Sequence, residues 1–153
     1  MLEAPHVLVG VAIATKFPHP ALAIPLAIGS HIVLDMLPHW NPHLNTEMKA
    51  HGRVSNQSKA VIYVDLAVSL ASIAFFSYQA LPDTSQAMLI GAAGFASMVP
   101  DLVEAPYFFF KWKTRLLERW ILFQKAIQTD AGPVFGILTQ IIVSFAALWW
   151  ILS

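Results

Sequence analysis

The stretch PALAIPLAIGSHIVLDMLPHWNP, Pro20–Pro42, decides how the chain is read. It begins as an uninterrupted apolar helix and ends in three ionisable groups: His31, Asp35 and His39. An ionisable side chain at membrane depth costs roughly 2.5–3.5 kcal/mol on insertion scales, and it stays there only when it pairs or binds an ion. His31 and Asp35 are four residues apart and so share one helical face, about 6 Å apart along the axis. Pro38 removes a backbone donor and turns Leu37 away from the helical region, which places His39 just beyond the helix end.

Composition sets the class around this stretch. Of 153 residues, 57% are hydrophobic and only 12% charged, with a mean hydropathy of +0.62. Soluble domains carry about 25% charged residues, so the expectation is a single integral-membrane domain over residues 1–153, all-α and polytopic. The formal net charge is zero, which provides no electrostatic basis for nucleic-acid binding, and the lack of cysteine excludes disulfides and thiolate metal sites. Glu3 stands where a cleavable signal would carry a positive segment, so no signal peptide is expected.

Five apolar stretches are expected to form a membrane helical bundle: Pro5–Thr15, which is short, then Ala21–Leu37, Ala60–Ala80, Gln86–Val99 and Pro133–Leu152. Pro25 should kink the second, Asp83 to Ser85 offer an N-cap for the fourth, and Trp149 and Trp150 are interfacial anchors for the fifth. Tyr107–Phe123, YFFFKWKTRLLERWILF, mixes aromatic and basic residues as an amphipathic helix lying in the interface does. Of the nine lysines and arginines, Lys16 alone falls on the side opposite the two long loops. The positive-inside rule therefore puts those loops in the cytoplasm and the C-terminus outside a cytoplasmic (inner) membrane.

This topology brings His6, His31, Asp35, His39, Asp65 and Asp101 to one depth, with Glu104 close by. Imidazole and carboxylate together suit zinc, with manganese or iron as the other choices. A divalent ion held there acidifies water towards neutrality. The competing readings are an Asp–His pair that glues helices together and a proton relay. Asp65, in the middle of an apolar span, is a general base or an acceptor that orients a ligand histidine. Asp101 ends a helix after Pro100, an echo of Pro38-His39. His19, His43 and His51 belong to loops, and no nucleophile elbow, P-loop or His-Glu-x-x-His motif is present.

Pro5-His6 opening an apolar helix, then GSHIVLDMLPHW, then Pro-Asp at a later helix end resembles small prokaryotic inner-membrane proteins described as membrane-bound metal-dependent hydrolases, the YdjM-like proteins. The resemblance implies His6, His31, Asp35, His39 and Asp101 as the metal-binding set. Relatives carry further histidines in the loop before the last helix, where FQKAIQTD offers Gln124 and Gln128 instead. The function expected is a metal-dependent hydrolase acting on a lipid ester or phosphoester at the cytoplasmic leaflet, with Asp65 in a catalytic role and membrane lipids as partners. The alternatives are a transporter or metal or proton conduit, helped by homodimer formation, or a scaffold. The outer halves of the third and fifth stretches hold no acid, histidine, lysine or arginine, only Ser and, at the very end of the third, Tyr78 and Gln79, which favours an enclosed site over a pathway.

Overall fold

The computed structural model describes all residues, 1–153. The chain is all-helical apart from two strands of two residues each: α1 (Glu3–Lys16), α2 (Pro20–Asp35), β1 (Pro38–His39), α3 (Leu44–His51), α4 (Asn56–Gln79), α5 (Thr84–Leu102), α6 (Ala105–Phe110), α7 (Arg115–Ile127), β2 (Thr129–Asp130) and α8 (Pro133–Leu152). Each of the five apolar stretches becomes a helix, but only α4 and α8 are long and apolar enough to cross a membrane. With 14 and 16 residues, α1 and α2 fall short of the about 20 that a full span takes. An expectation of about five spans is thus reduced to two by length and composition.

The short first helix is the centre of the molecule. It packs against α2, α4, α5 and α8, and its residues from Pro5 to Ala14 are buried on nearly every side, as a helix apolar all round must be. Val7, Val11, Ile13 and Ala14 meet Ala23 and Ala27 of α2 and Leu89, Ile90 and Ala93 of α5. Small residues let the backbones approach, as in membrane bundles. At Gly10 a Cβ would lie 2.8 Å from the Ala93 carbonyl oxygen, so α1 and α5 could not close on any larger residue.

By contrast, α4 and α8 are peripheral. In their most apolar windows just 6% and 17% of residues are buried, whereas the core helix of a soluble protein would be mostly buried. Tyr63, Val64, Phe75 and Tyr78 on α4, and Val134, Phe135, Ile142 and Trp149 on α8, face outwards. The inward stripe of α8 is Gly136, Gln140 and Ala147, one helical face.

Helix starts follow local chemistry. Ser55, Asp83 and Thr114 each accept a bond from the amide of the residue three further on, at the heads of α4, α5 and α7. Pro25 and Pro100 lie within α2 and α5, both of which continue past them. The segment Tyr107–Phe123 is not one helix. It breaks after Phe110, where Lys111 adopts a left-handed conformation (φ 58°), and resumes as α7 at Arg115. At this end Phe108, Ile121 and Val54 form a small second core.

Glu47 ties α3 to the head of α4. Its carboxylate accepts from the Ser55 amide at 2.7 Å, the Ser55 hydroxyl at 2.9 Å and the Ser58 hydroxyl at 2.7 Å. The Ser55 amide and the two hydroxyls hold its pKa below the ordinary glutamate range. A depressed folded-state pKa contributes stability at neutral pH that is lost as pH falls through that value. Glu47→Gln is expected to lower the thermal unfolding midpoint at pH 7, and the gap from wild type should close as pH drops below the glutamate range; a gap independent of pH would show that the charge is not what holds this corner.

Candidate metal centre

The site begins with the first turn of α1, which starts inside the protein. Helix heads leave backbone N–H groups without intrahelical partners. Here the Leu2 amide donates to Gln140 Oε1 of α8 at 2.8 Å. The Glu3 and Ala4 amides donate to the two carboxylate oxygens of Asp65 on α4, at 2.6 and 3.0 Å. Pro5, next in line, has no N–H to satisfy. Asp65 therefore acts as a remote cap, both oxygens engaged, and its effect on the site passes through the placement of α1. The two amides take two of the about four acceptor sites of a carboxylate, so this capping role stands beside the catalytic role expected from the sequence.

One turn further, His6 enters the centre. His6, His31, Asp35 and His39 are all fully buried. His6 Nε2 lies 3.2 Å from Asp35 Oδ1, His31 Nε2 lies 3.5 Å from Asp35 Oδ2, and the two imidazoles stack with centroids 3.8 Å apart. His6, His31 and Asp35 bring one ligand atom each within 4.8 Å of the others, a group that can hold a metal ion. His39 Nε2 is 3.9 Å from Asp35 Oδ1, and Asp101 Oδ1 is 3.3 Å from His31 Nε2. The tight group is thus built on His6 where the sequence placed His39 beside His31 and Asp35; His39 and Asp101 flank it. The Met1 amino group also lies against Asp35 and is 3.3 Å from His6 Nε2.

The protonation pattern follows from the backbone. His31 Nδ1 lies 2.7 Å from the Ser97 carbonyl oxygen and His39 Nδ1 lies 2.8 Å from that of Leu37. A carbonyl only accepts, so each Nδ1 carries a proton and donates it. In the neutral ring this turns the lone pair of Nε2 towards Asp35. Both Nε2 atoms are buried without a hydrogen-bond partner. A metal-bound histidine has this arrangement, its second nitrogen fixed by an acceptor outside the metal shell.

Glutamines complete the surroundings, and two of them stand where the resemblance would have further histidines. Gln128 Nε2 donates to Asp35 Oδ2 at 3.2 Å, and Gln124 Nε2 donates to Asp101 Oδ1 at 3.0 Å and to Glu104 Oε1 at 3.1 Å. Gln124 and Trp120 also donate to the Pro100 carbonyl, a C-terminal helix acceptor of α5. Burial and the nearby Asp101 push the Glu104 carboxyl up to about 7. Gln140 of α8 was not singled out from the sequence, although a lone amide in so apolar a span is the signal that finds it. Its Nε2 donates to the Trp40 carbonyl at 2.8 Å while its Oε1 holds α1. His19, His43 and His51 are not part of the centre.

His39 is held by more than its own strand. β1 pairs in parallel with β2, Pro38 opposite Thr129 and His39 opposite Asp130. Gly136 of α8 presses on the same segment: a Cβ there would come within 2.7 Å of the His39 carbonyl carbon and collide with the Trp40 amide nitrogen. A cavity of about 690 Å³ adjoins the centre, its wall including Met1, Glu3, Asp65, Asp101, Glu104 and Gln128.

Comparison with protein families, curated proteins and solved structures finds no match for the chain. Function has to follow from the chemistry of the site, since an all-helical fold by itself assigns none.

The close approach at Gly136 makes a paired prediction. Gly136→Ala should destabilise the protein by about 1–3 kcal/mol, the usual cost of overpacking. Gly29→Ala, in an exposed turn of α2 with nothing within 4 Å of the added methyl, should stabilise it by about 0.5–1 kcal/mol. Thermal unfolding in detergent reads both, and an unchanged midpoint for Gly136→Ala would mean that α8 does not hold the His39 segment.

Proposed function

We propose that the protein is a multi-pass membrane hydrolase whose centre, His6, His31 and Asp35 with His39 and Asp101, holds a divalent metal, zinc before manganese or iron, and cleaves a lipid ester or phosphoester. The observation that carries this reading is the buried group of His6, His31 and Asp35, whose ligand atoms all lie within 4.8 Å of one another, with His31 Nδ1 bound to a backbone carbonyl so that its Nε2 faces Asp35 and Asp101. The donor set of imidazole and carboxylate suits zinc.

A bound divalent ion supplies Lewis acidity and a water acidified to near neutrality. The chain's own residues do the rest. Gln128 and Gln124 orient the carboxylates of Asp35 and Asp101 without adding charge. Glu104, on the cavity wall and linked to Asp101 through Gln124, is the carboxyl suited to accept or return a proton near neutral pH. Asp65 and Gln140 keep α1, and with it His6, in place. The two apolar, outward-facing helices support residence in a membrane. The positive charges of the loops favour a cytoplasmic location for the centre and an external C-terminus.

Elemental analysis of the detergent-purified protein tests the centre. Wild type should retain close to one equivalent of metal, and Asp35→Ala and His39→Ala should lose it while remaining monodisperse. Gln128→Ala should weaken metal affinity about ten-fold or more, as loss of a ligand-orienting bond does. Metal-free wild type that stays empty after reloading would sink the hydrolase reading and leave a structural His–Asp cluster.

The absence of cysteine makes the orientation directly measurable in cells. A cysteine at Lys49 should resist a membrane-impermeant maleimide added outside, whereas one at Ser85 should react; the reverse pattern would invert the topology.

A further inference from the structure

Four of the nine lysines and arginines converge on the cavity beside the metal centre: Arg53 from the turn before α4, Lys59 from its first turn, Lys111 from the end of α6 and Lys125 from α7. These residues come from separate parts of the chain. None of the ion pairs in the protein involves a lysine or arginine, so all four cations reach the wall without a carboxylate partner. Five carboxylates share the wall, Glu3, Asp65, Asp101, Glu104 and Asp130; Asp65 is bound to the α1 amides, Asp101 to His31 and Gln124, and Glu104 to Gln124, and none of the five pairs with a lysine or arginine. The four cations come from the α3–α4 turn, α4, the end of α6 and α7, and are the charges on the wall free to take an anion.

Apolar surface accompanies the cations. Phe108 and Phe109 line the interior. Tyr63 and Phe110, also on the wall, are 59% and 69% exposed, so the apolar lining runs out to the surface beside the lipid-length helix α4. The volume of about 690 Å³ falls within the range of about 300–1,000 Å³ that small-molecule sites occupy. It admits a headgroup and the adjoining part of its tails. Unpaired cations on the wall, Lys59 half-buried and Arg53, Lys111 and Lys125 exposed at its rim, together with aromatic residues beside α4, suit a ligand with a phosphate at one end and hydrocarbon at the other.

We propose that this cavity is a binding site for a phosphate-bearing anionic lipid, its phosphate held by Arg53, Lys59, Lys111 and Lys125 and its tails leaving past Tyr63 and Phe110. The proposal deepens the hydrolase reading and rests on it for the nearby metal, by making the substrate an anionic phospholipid. The cations act as a specificity device: they bind the headgroup and bring its ester bonds alongside Asp101 and Glu104. A zwitterionic lipid carries no net charge for the four cations to hold and binds less tightly for that reason.

Binding is tested on full-length, chelator-treated wild type in detergent, so that the result does not depend on the metal. Calorimetric titration compares short-chain phosphatidic acid, short-chain phosphatidylcholine and inorganic phosphate. Phosphatidic acid should bind at least about ten-fold more tightly than either of the others. The double substitution Lys59→Gln/Lys125→Gln should weaken it about 25-fold, from about five-fold for each charge lost. Lys113→Gln/Arg119→Gln removes the same charge from residues off the cavity wall and should change binding by less than about two-fold. Equal affinity for phosphatidylcholine, equal affinity for inorganic phosphate, or equal loss in the two double variants would each overturn the proposal. If metal analysis fails while this preference holds, the protein binds anionic lipid without hydrolysing it by a metal; the reverse result leaves the metal centre with a different substrate.

Discussion

The head of α1 is the constraint on which the rest depends. This helix starts within the bundle, where unpaired amides would cost several kcal/mol in an apolar surrounding. Leu2, Glu3 and Ala4 direct theirs to Gln140 and Asp65, and Pro5 has none to direct. Because those two acceptors sit on α8 and α4, satisfying the donors fixes the central helix against both peripheral ones. His6 follows one turn later and is carried into the centre by the same bonds. A polar side chain in each of two apolar helices thus answers a backbone requirement of a third.

The centre itself is built from carboxylates supported by neutral amides. Gln128 and Gln124 satisfy Asp35 and Asp101 without cancelling their charge. Asp35, fully buried, and Asp101, half-buried, keep their charge in this way, and the Met1 amino group is the cation that lies against Asp35. Lysine or arginine in the same positions would have filled the centre with a salt bridge. Four of the basic residues of this end, Arg53, Lys59, Lys111 and Lys125, lie instead on the cavity wall, unpaired, where an anion can reach them.

Much of the centre can be read along the chain because its strongest elements are local. His31 and Asp35 share a face through helical spacing alone, and Pro38 releases His39 from the helix. Length is equally local, and it shows that Pro5–Thr15 is too short to span a membrane. What it does not show is that this segment is the core helix, because that depends on which neighbours surround it. The pairing of Asp65 with the α1 amides spans more than 60 residues of sequence. Nothing in VIYVDLAV distinguishes an acid that caps a distant helix from one that takes a proton. The break at Lys111 is similarly hidden, since YFFFKWKTRLLERWILF has no glycine or proline to mark it; packing of Phe108 and Ile121 about Val54 sets the two helices separately.

By itself the sequence determined the helical class, the apolar character of the long helices and the identity of the ionisable groups that apolar segments could not leave unpartnered. These follow from periodicity, composition and solvation cost, which act over a few residues. The tertiary structure alone decided which groups meet. It placed His6 against His31 and Asp35, gave Asp65 to the head of α1, made donors of Gln124 and Gln128, and gathered four distant basic residues around one cavity. Those outcomes rest on satisfying buried donors and acceptors across helices, a condition set in three dimensions by close backbone approach at positions such as Gly10 and Gly136.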